Sequence, residues 1–464
     1  MVTTTHAPDQ VRSVSAISGI LHPDGAALRR LPWVLGCLVS AGWAATFPLF
    51  SGLTSQRIWG TIATVAYLLA AGAAGFAPRR RALRLTVAVA LLGAVVVPMA
   101  VLLGRGLAQS EVIVVQNSAT QLLHTGSPYF PHASRIIQYN PYLPAMAAFG
   151  LPRALLGTGG MLPQILGDAR LWFFAAFAAC LLATWRLLRR RSEPAGPAWF
   201  ALAAATASPL VALTASVSGV DLPLIGCCLL GLAYAERGHV ARAGIVIALA
   251  CALKWTAWPA LPVALVLLQQ RHGLRAAWRC AAVALAAAAV MIVPSALLTP
   301  GAVLEQVIRF PLGLSTMRTP ANSPLPGHLL AELGPAGRTA SMVLLGLGAL
   351  VVALWLFLRP PQTVRQAADR LAAGVSVAFL LAPAGRFGYL ELPLLLVLWP
   401  RLALAPGGTA AEPEARTEPT APTERGTPAA SAEPAEPAAL AHPAELAELA
   451  MATAAGAEER GLRE

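Results

Sequence analysis

The run Gly244–Leu268, GIVIALACALKWTAWPALPVALVLL, carries the only lysine of the chain, Lys254, inside an almost wholly apolar stretch. An ammonium group in the middle of a bilayer costs roughly 2.5–3.5 kcal/mol on insertion scales, so such a residue marks a functional site by default. The plainer reading is a lysine near a membrane face, with its charge reaching water. The flanks set its depth. Arg237 and Arg242 precede the run, and Arg271, Arg275 and Arg279 follow it. If both basic loops lie in the cytoplasm, the segment turns back on itself. It then forms two short helices with a bend at Lys254 to Trp258, and Lys254 lies at the outer face.

The same logic orders the rest of the chain. It has 464 residues, 56% of them hydrophobic and only 12% charged, with mean hydropathy +0.63. A soluble domain carries about 25% charged residues. The fold class is therefore all-α, a polytopic membrane protein. Apolar runs at 31–53, 58–77, 85–104, 171–188, 198–217, 222–235, 243–255, 257–268, 280–298, 341–358, 372–384 and 389–404 predict twelve crossings. Those beginning at 222, 243, 257, 372 and 389 are shorter than the roughly 20 residues a spanning helix needs. Pro223, Pro259, Pro383 and Pro393 are expected to interrupt them. Further arginine clusters occur at 29–30, 79–84, 186–191 and 359–370, and an even number of crossings puts both termini in the cytoplasm.

Three regions result. Residues 1–30 form a cytoplasmic segment. Residues 31–406 form the membrane domain, with external loops at 105–170 and 299–340. Residues 407–464, rich in Ala, Pro and Glu, read as a disordered cytoplasmic tail. Half of the 22 acidic residues lie in that tail, so the membrane part is more basic than the net charge of +12 suggests. That charge reads as topology signals and anionic-lipid contacts, not as nucleic-acid binding. Cys37, Cys180, Cys227, Cys228, Cys251 and Cys280 all lie in apolar segments, without a C-x-x-C pair, and read as small core residues.

The first external loop has structure of its own. Val112, Val115, Ala119, Leu122 and Leu123 recur at helical spacing and predict an amphipathic helix on the membrane surface. Tyr142–Leu156 is short and apolar, and is expected to dip into the membrane or pack on the bundle.

Four charged residues from separate chain regions fall at the outer face: Glu111, Asp221, Lys254 and Arg386. Each also has an ordinary explanation. Asp221 would cap a helix, Glu111 would be a solvated loop acid, and Arg386 would reach the interface. Together they suit one task. A carboxylate acts as general base on an acceptor hydroxyl, while Lys and Arg hold a phosphate leaving group. This is the logic of glycosyl transfer from a lipid-phosphate sugar. It requires no cofactor and no metal, and no H-E-x-x-H, D-x-D or paired-His spacing points to a metal site. His124 and His132 read as loop histidines.

The stretch SEVIVVQNSATQLLHTGSPYFPH (110–132), followed by QYNPYLP (138–144), resembles the first external loop of the polyprenol-phosphate-mannose-dependent mannosyltransferases. These are integral membrane enzymes of the GT-C class, common in actinobacteria. The elements that match are Glu111, Gly126, Pro128, Tyr129, Tyr139 and Pro141. The run from Ser218 to Leu268 is similar to the family's middle region, and GRFGYLELPLLLVLW (385–399) to its last segment.

The resemblance implies a sugar donor on polyprenyl phosphate, inversion at the anomeric carbon, and an active site on the extracytoplasmic face of the cell membrane. The acceptor is then a glycolipid or cell-envelope polysaccharide. The resemblance makes Glu111 the base, where the family more often has Asp, with Asp221 as runner-up. Lys254 and Arg386 become candidate donor-phosphate contacts, Arg318 a further candidate substrate contact, and Tyr129, Trp255 and Trp258 candidate sugar or lipid contacts. Interfacial aromatic belts explain the three aromatics equally well. A transporter or flippase for a lipid-linked or anionic substrate is the alternative, since transporters also use broken helices and intramembrane charge. A catalytically silent relative is a third reading.

Overall fold

The computed structural model describes residues 25–189, 198–317 and 319–404. Arg318 and the tail therefore lie outside the described residues. Within them the chain is helical, without strands. The long elements are α1 (Gly25–Phe50), α2 (Thr54–Phe76), α3 (Arg79–Gly104), α4 (Ser110–Thr125), α5 (Ala169–Leu188), α6 (Ala198–Thr206) and α7 (Pro209–Val217). They are followed by α8 (Leu222–Glu236), α9 (Val240–Leu253), α10 (Ala260–His272), α11 (Leu274–Leu298), α12 (Pro335–Leu358), α13 (Val364–Leu381) and α14 (Glu391–Ala403).

Every predicted apolar run folds as helix, but the count of twelve crossings does not carry over. Among the described residues, six helices are long and apolar enough to span: α1, α2, α3, α5, α11 and α12, where α1 qualifies over Arg30–Phe50. The pair α6 and α7 makes a seventh if taken together, bent by 80°. The remaining helices are short. At 1.5 Å per residue, the 14 residues of α9 rise about 21 Å, against a hydrocarbon core of about 30 Å.

The prolines expected to interrupt the short helices bound them instead. Pro223 lies in the first turn of α8, Pro259 caps α10, Pro383 follows α13, and Pro393 lies in the first turn of α14. The first-turn N–H groups have no intrahelical acceptor in any case, so proline costs little there.

At two of the breaks near proline, a free backbone carbonyl is taken up by an aromatic side chain. Pro98 removes the bond to Ala94 O in α3, and residues 92–96 widen into a π turn. The Trp59 indole then donates to Ala94 O at 2.8 Å. At the α6–α7 bend, before Pro209, the Tyr67 hydroxyl donates to Ala207 O at 2.9 Å.

The bundle has two unlike ends. At one, the arginine-rich turns lock together. Arg237 donates to Leu188 O at 2.7 Å, His272 Nε2 to Glu236 O at 3.0 Å, and Arg271 to Gln362 O at 3.1 Å. Arg30 ties α1 to the end of α2 through Gly75 O at 2.8 Å and Ala77 O at 3.1 Å. At the other end lie the α3–α5 connection, the α7–α8 and α9–α10 turns, the segment 299–334 and the α13–α14 turn.

Candidate active site

The predicted bend exists. Helix α9 ends at Leu253, Lys254 takes an extended conformation (φ −158°, ψ 140°), and a single turn at Trp255–Ala257 leads into α10. Lys254 is buried, and its Nζ meets Asp221 Oδ1 at 2.7 Å. Tyr389 covers the ammonium with its ring centroid 4.5 Å away, and the Tyr142 ring is 5.8 Å away. Asp221 stands at the N-cap position of α8, yet its carboxylate makes no capping bond and turns to Lys254 instead. The helix-cap explanation of Asp221 therefore gives way to a buried ion pair, with side-chain exposures of 8% for Lys254 and 15% for Asp221. In such surroundings a charge without its partner costs several kcal/mol.

The second pair joins residues 275 positions apart in the sequence. Arg386 forms an ion pair with Glu111. Two local structures bring them together. Helix α4 presents Glu111 in its first turn. The backbone N–H of Gln109 donates to Val217 O at 3.0 Å, which fixes the start of α4 beside the α7–α8 turn that bears Asp221. Arg386 is set by the second loop. Ser323 N donates to Gly385 O at 3.0 Å and Gly385 N to Ala321 O at 3.1 Å, so residues 321–323 hold the α13–α14 turn from outside. Gly327 lies against α13 so closely that a Cβ would meet Leu381 O at 2.2 Å; only glycine fits there.

The α13–α14 turn links the two pairs. Within six residues it supplies Arg386 to Glu111, Tyr389 to Lys254, and Glu391 to the neighbourhood of Asp221 and Lys254. Glu391 is 1% exposed, and its Oε1 has no hydrogen-bond partner among the described residues. Thr214 of α7 also faces it. Two carboxylates thus surround one ammonium.

Sequence reading missed Glu391, Tyr389 and Tyr142, but a signal for the first was present. Asp221-Leu222-Pro223 and Glu391-Leu392-Pro393 repeat one pattern: an acid, Leu and Pro where a short apolar helix begins.

The first loop is a packed structure. The first part of the apolar stripe of α4 is buried against protein, with Val112, Val115 and Ala119 at no more than 1% exposure, rather than facing lipid as expected, while Leu122 is half-buried and Leu123 is 52% exposed. It rests on the turn Pro144–Gly150, where a Cβ on Gly150 would meet Val115 O at 2.4 Å. Of the two expectations for Tyr142–Leu156, packing on the bundle holds for its first half: Leu143 N donates to Leu253 O at 3.0 Å, beside Lys254.

Tyr129 is fully buried and its hydroxyl donates to Tyr142 O at 2.9 Å, so it braces this loop. Gln306 joins the two loops, accepting from Asn140 N at 3.1 Å and donating to Phe130 O at 2.7 Å. Trp258 is exposed at the bend, and His124 and His132 are exposed in the first loop.

A fixed anchor holds the entry to α5. Arg170, 1% exposed, makes a two-pronged pair with Asp168 at 2.9 and 2.8 Å and donates to Ser216 O at 2.8 Å.

A family model for glycosyltransferase family 87 matches residues 140–383, more than half of the chain. The chain belongs to glycosyltransferase family 87, a family of membrane glycosyltransferases of GT-C type. Asp221, Lys254 and Trp258 fall inside the matched region of this family 87 protein; Glu111, Tyr129, Arg386 and Glu391 fall outside it. No curated protein and no solved structure matches the chain. Membership favours glycosyl transfer over the transporter reading and makes the chain a transferase with a sugar donor, an acceptor and a membrane setting.

Proposed function

We propose that this family 87 protein moves a hexose, mannose by resemblance, from polyprenyl phosphate to a glycolipid or polysaccharide acceptor outside the cytoplasm. The observation that carries the proposal is the Glu111–Arg386 pair, in which a carboxylate and a guanidinium 275 residues apart in the chain meet beneath two loops. The acceptor oxygen attacks the anomeric carbon as its proton passes to the Glu111 carboxylate. The bond from the anomeric carbon to the phosphate oxygen breaks, and polyprenyl phosphate leaves with the electron pair. One displacement inverts the anomeric configuration.

Arg386 stabilises the charge that builds on the phosphate, a task suited to its planar fork of donors. In the resting protein it is paired with the base. A donor phosphate offers it a second anion and leaves Glu111 free to accept a proton.

Lys254 has a different setting. Paired with Asp221 and with Glu391 nearby, it already has its counter-ion, so it serves to hold Asp221 in place. Asp221 is the second candidate for the base. Positive-inside bias supports a cytoplasmic location for the arginine-rich end, which puts the site on the extracytoplasmic face.

The test is a donor comparison with purified protein. Transfer is expected from polyprenyl-phosphate mannose and none from GDP-mannose. Equal use of the nucleotide sugar would overturn the lipid-phosphate reading.

A further inference from the structure

At the arginine-rich end, α1, α2 and α3 border a half-open pocket of about 150 Å³, at the end opposite the paired acids. A water takes about 30 Å³ of liquid volume, so a charged headgroup fits and a large soluble ligand does not. Arg30 and Arg79 line it, with no acidic residue among the lining side chains. Arg30 is held in place by its bonds to Gly75 O and Ala77 O. Arg79 opens α3, and its side chain makes no ion pair or hydrogen bond among the described residues.

The walls are of another kind. Ala82 and Thr86 form a small-residue floor on α3, and Trp33 and Leu83 flank it. Trp33 is 50% exposed and Leu83 40% exposed, so this side opens outward from the bundle, where a spanning helix meets lipid.

We infer that this pocket is a binding site for an anionic phospholipid. Its phosphate lies between Arg30 and Arg79, and an acyl chain runs along Leu83 and Trp33. Three features combine in the site: two cations at the membrane-interface end, no opposing acid, and an apolar wall continuous with the lipid-facing surface. A free phosphate would use the first two and gain nothing from the third. A zwitterionic lipid would use the third but bring no net negative charge to the arginines. The site sits at the start of α1, the end of α2 and the start of α3, so an occupant bridges the first three helices at the leaflet opposite the proposed chemistry.

Native mass spectrometry of the full chain, with equal phosphatidylglycerol and phosphatidylcholine added, tests the site. One phosphatidylglycerol per chain is expected to persist in preference to phosphatidylcholine. Arg79→Glu should lower its retention at least about fivefold, the factor set by one juxtamembrane charge. Arg275→Glu, the same charge change elsewhere at this end, should leave it unchanged. Leu83→Gln should also lower retention, because the wall binds the chain.

Equal retention in Arg79→Glu and wild type would overturn the site. So would equal loss in Arg275→Glu, which would mark a diffuse charge effect. Unaltered binding in Leu83→Gln, with displacement by inorganic phosphate, would mark an anion site without a lipid component.

Discussion

The two ends of the bundle use charge in opposite ways. At one end the cations are in excess and mostly exposed: Arg79, Arg80, Arg81, Arg84, Arg242, Arg275 and Arg279 all face outward. The partners of this end are chiefly backbone carbonyls, as for Arg237 at Leu188 and Arg271 at Gln362. At the other end Arg105, Arg135 and Arg309 are exposed as well, but a small set of charges is shielded and meets other side chains: Glu111 with Arg386, and Asp221 with Lys254 beside Glu391. Exposed charges read membrane topology and cost little to hold. Buried opposite charges cost desolvation and are kept in place by two loops. The difference teaches where chemistry is to be sought: not where arginine is abundant, but where a few cations are matched by largely buried acids.

Mutation should separate the ends by size of effect. The largest change in stability belongs to the buried pair. Lys254→Met leaves Asp221 and Glu391 facing each other without a cation, and should cost about 3–5 kcal/mol; thermal unfolding in detergent measures it. The double variant Lys254→Met with Asp221→Asn should recover part of that loss, and an additive loss would break the claim that the two act as a unit. Arg386→Gln comes next. It should raise KM for the donor roughly 10- to 100-fold, on the order of the 1.5–3 kcal/mol of a charged hydrogen bond, with little change in acceptor affinity.

Gly150→Val tests the loop as a support. Overpacking there should cost about 1–3 kcal/mol and lower turnover by displacing α4, which carries Glu111. The smallest effect is expected at the arginine-rich end. The Arg401–Asp369 pair, with side chains 40% and 32% exposed, should yield under about 1 kcal/mol in Arg401→Gln, with turnover unaltered. A large loss of turnover there would blur the contrast between the ends.

The sequence made some of this contrast legible and hid the rest for physical reasons. Helix positions and the turn at Lys254 follow from local hydrophobicity and the flanking arginines, which are properties of contiguous residues. The number of spans did not follow, because a short apolar run reads the same whether its helix crosses lipid or stops inside the protein. Convergence of Glu111, Asp221, Lys254 and Arg386 at one end was readable from parity, but their pairing was not. Glu111 meets Arg386 only through the Asn322–Gly385 bridge and the Gln109–Val217 bond, contacts between segments far apart in the chain. Glu391 was readable in principle, through its likeness to Asp221-Leu222-Pro223. It escaped notice because an acid at the head of a helix has an ordinary explanation.

The proposed chemistry rests on Glu111 as base, and single-turnover transfer by Glu111→Gln tests it most directly. The variant should fold, retain polyprenyl-phosphate sugar, and transfer it roughly 10²–10⁴-fold more slowly than wild type, the range for loss of a general base. Transfer at a near-wild-type rate, with donor bound, would contradict the account.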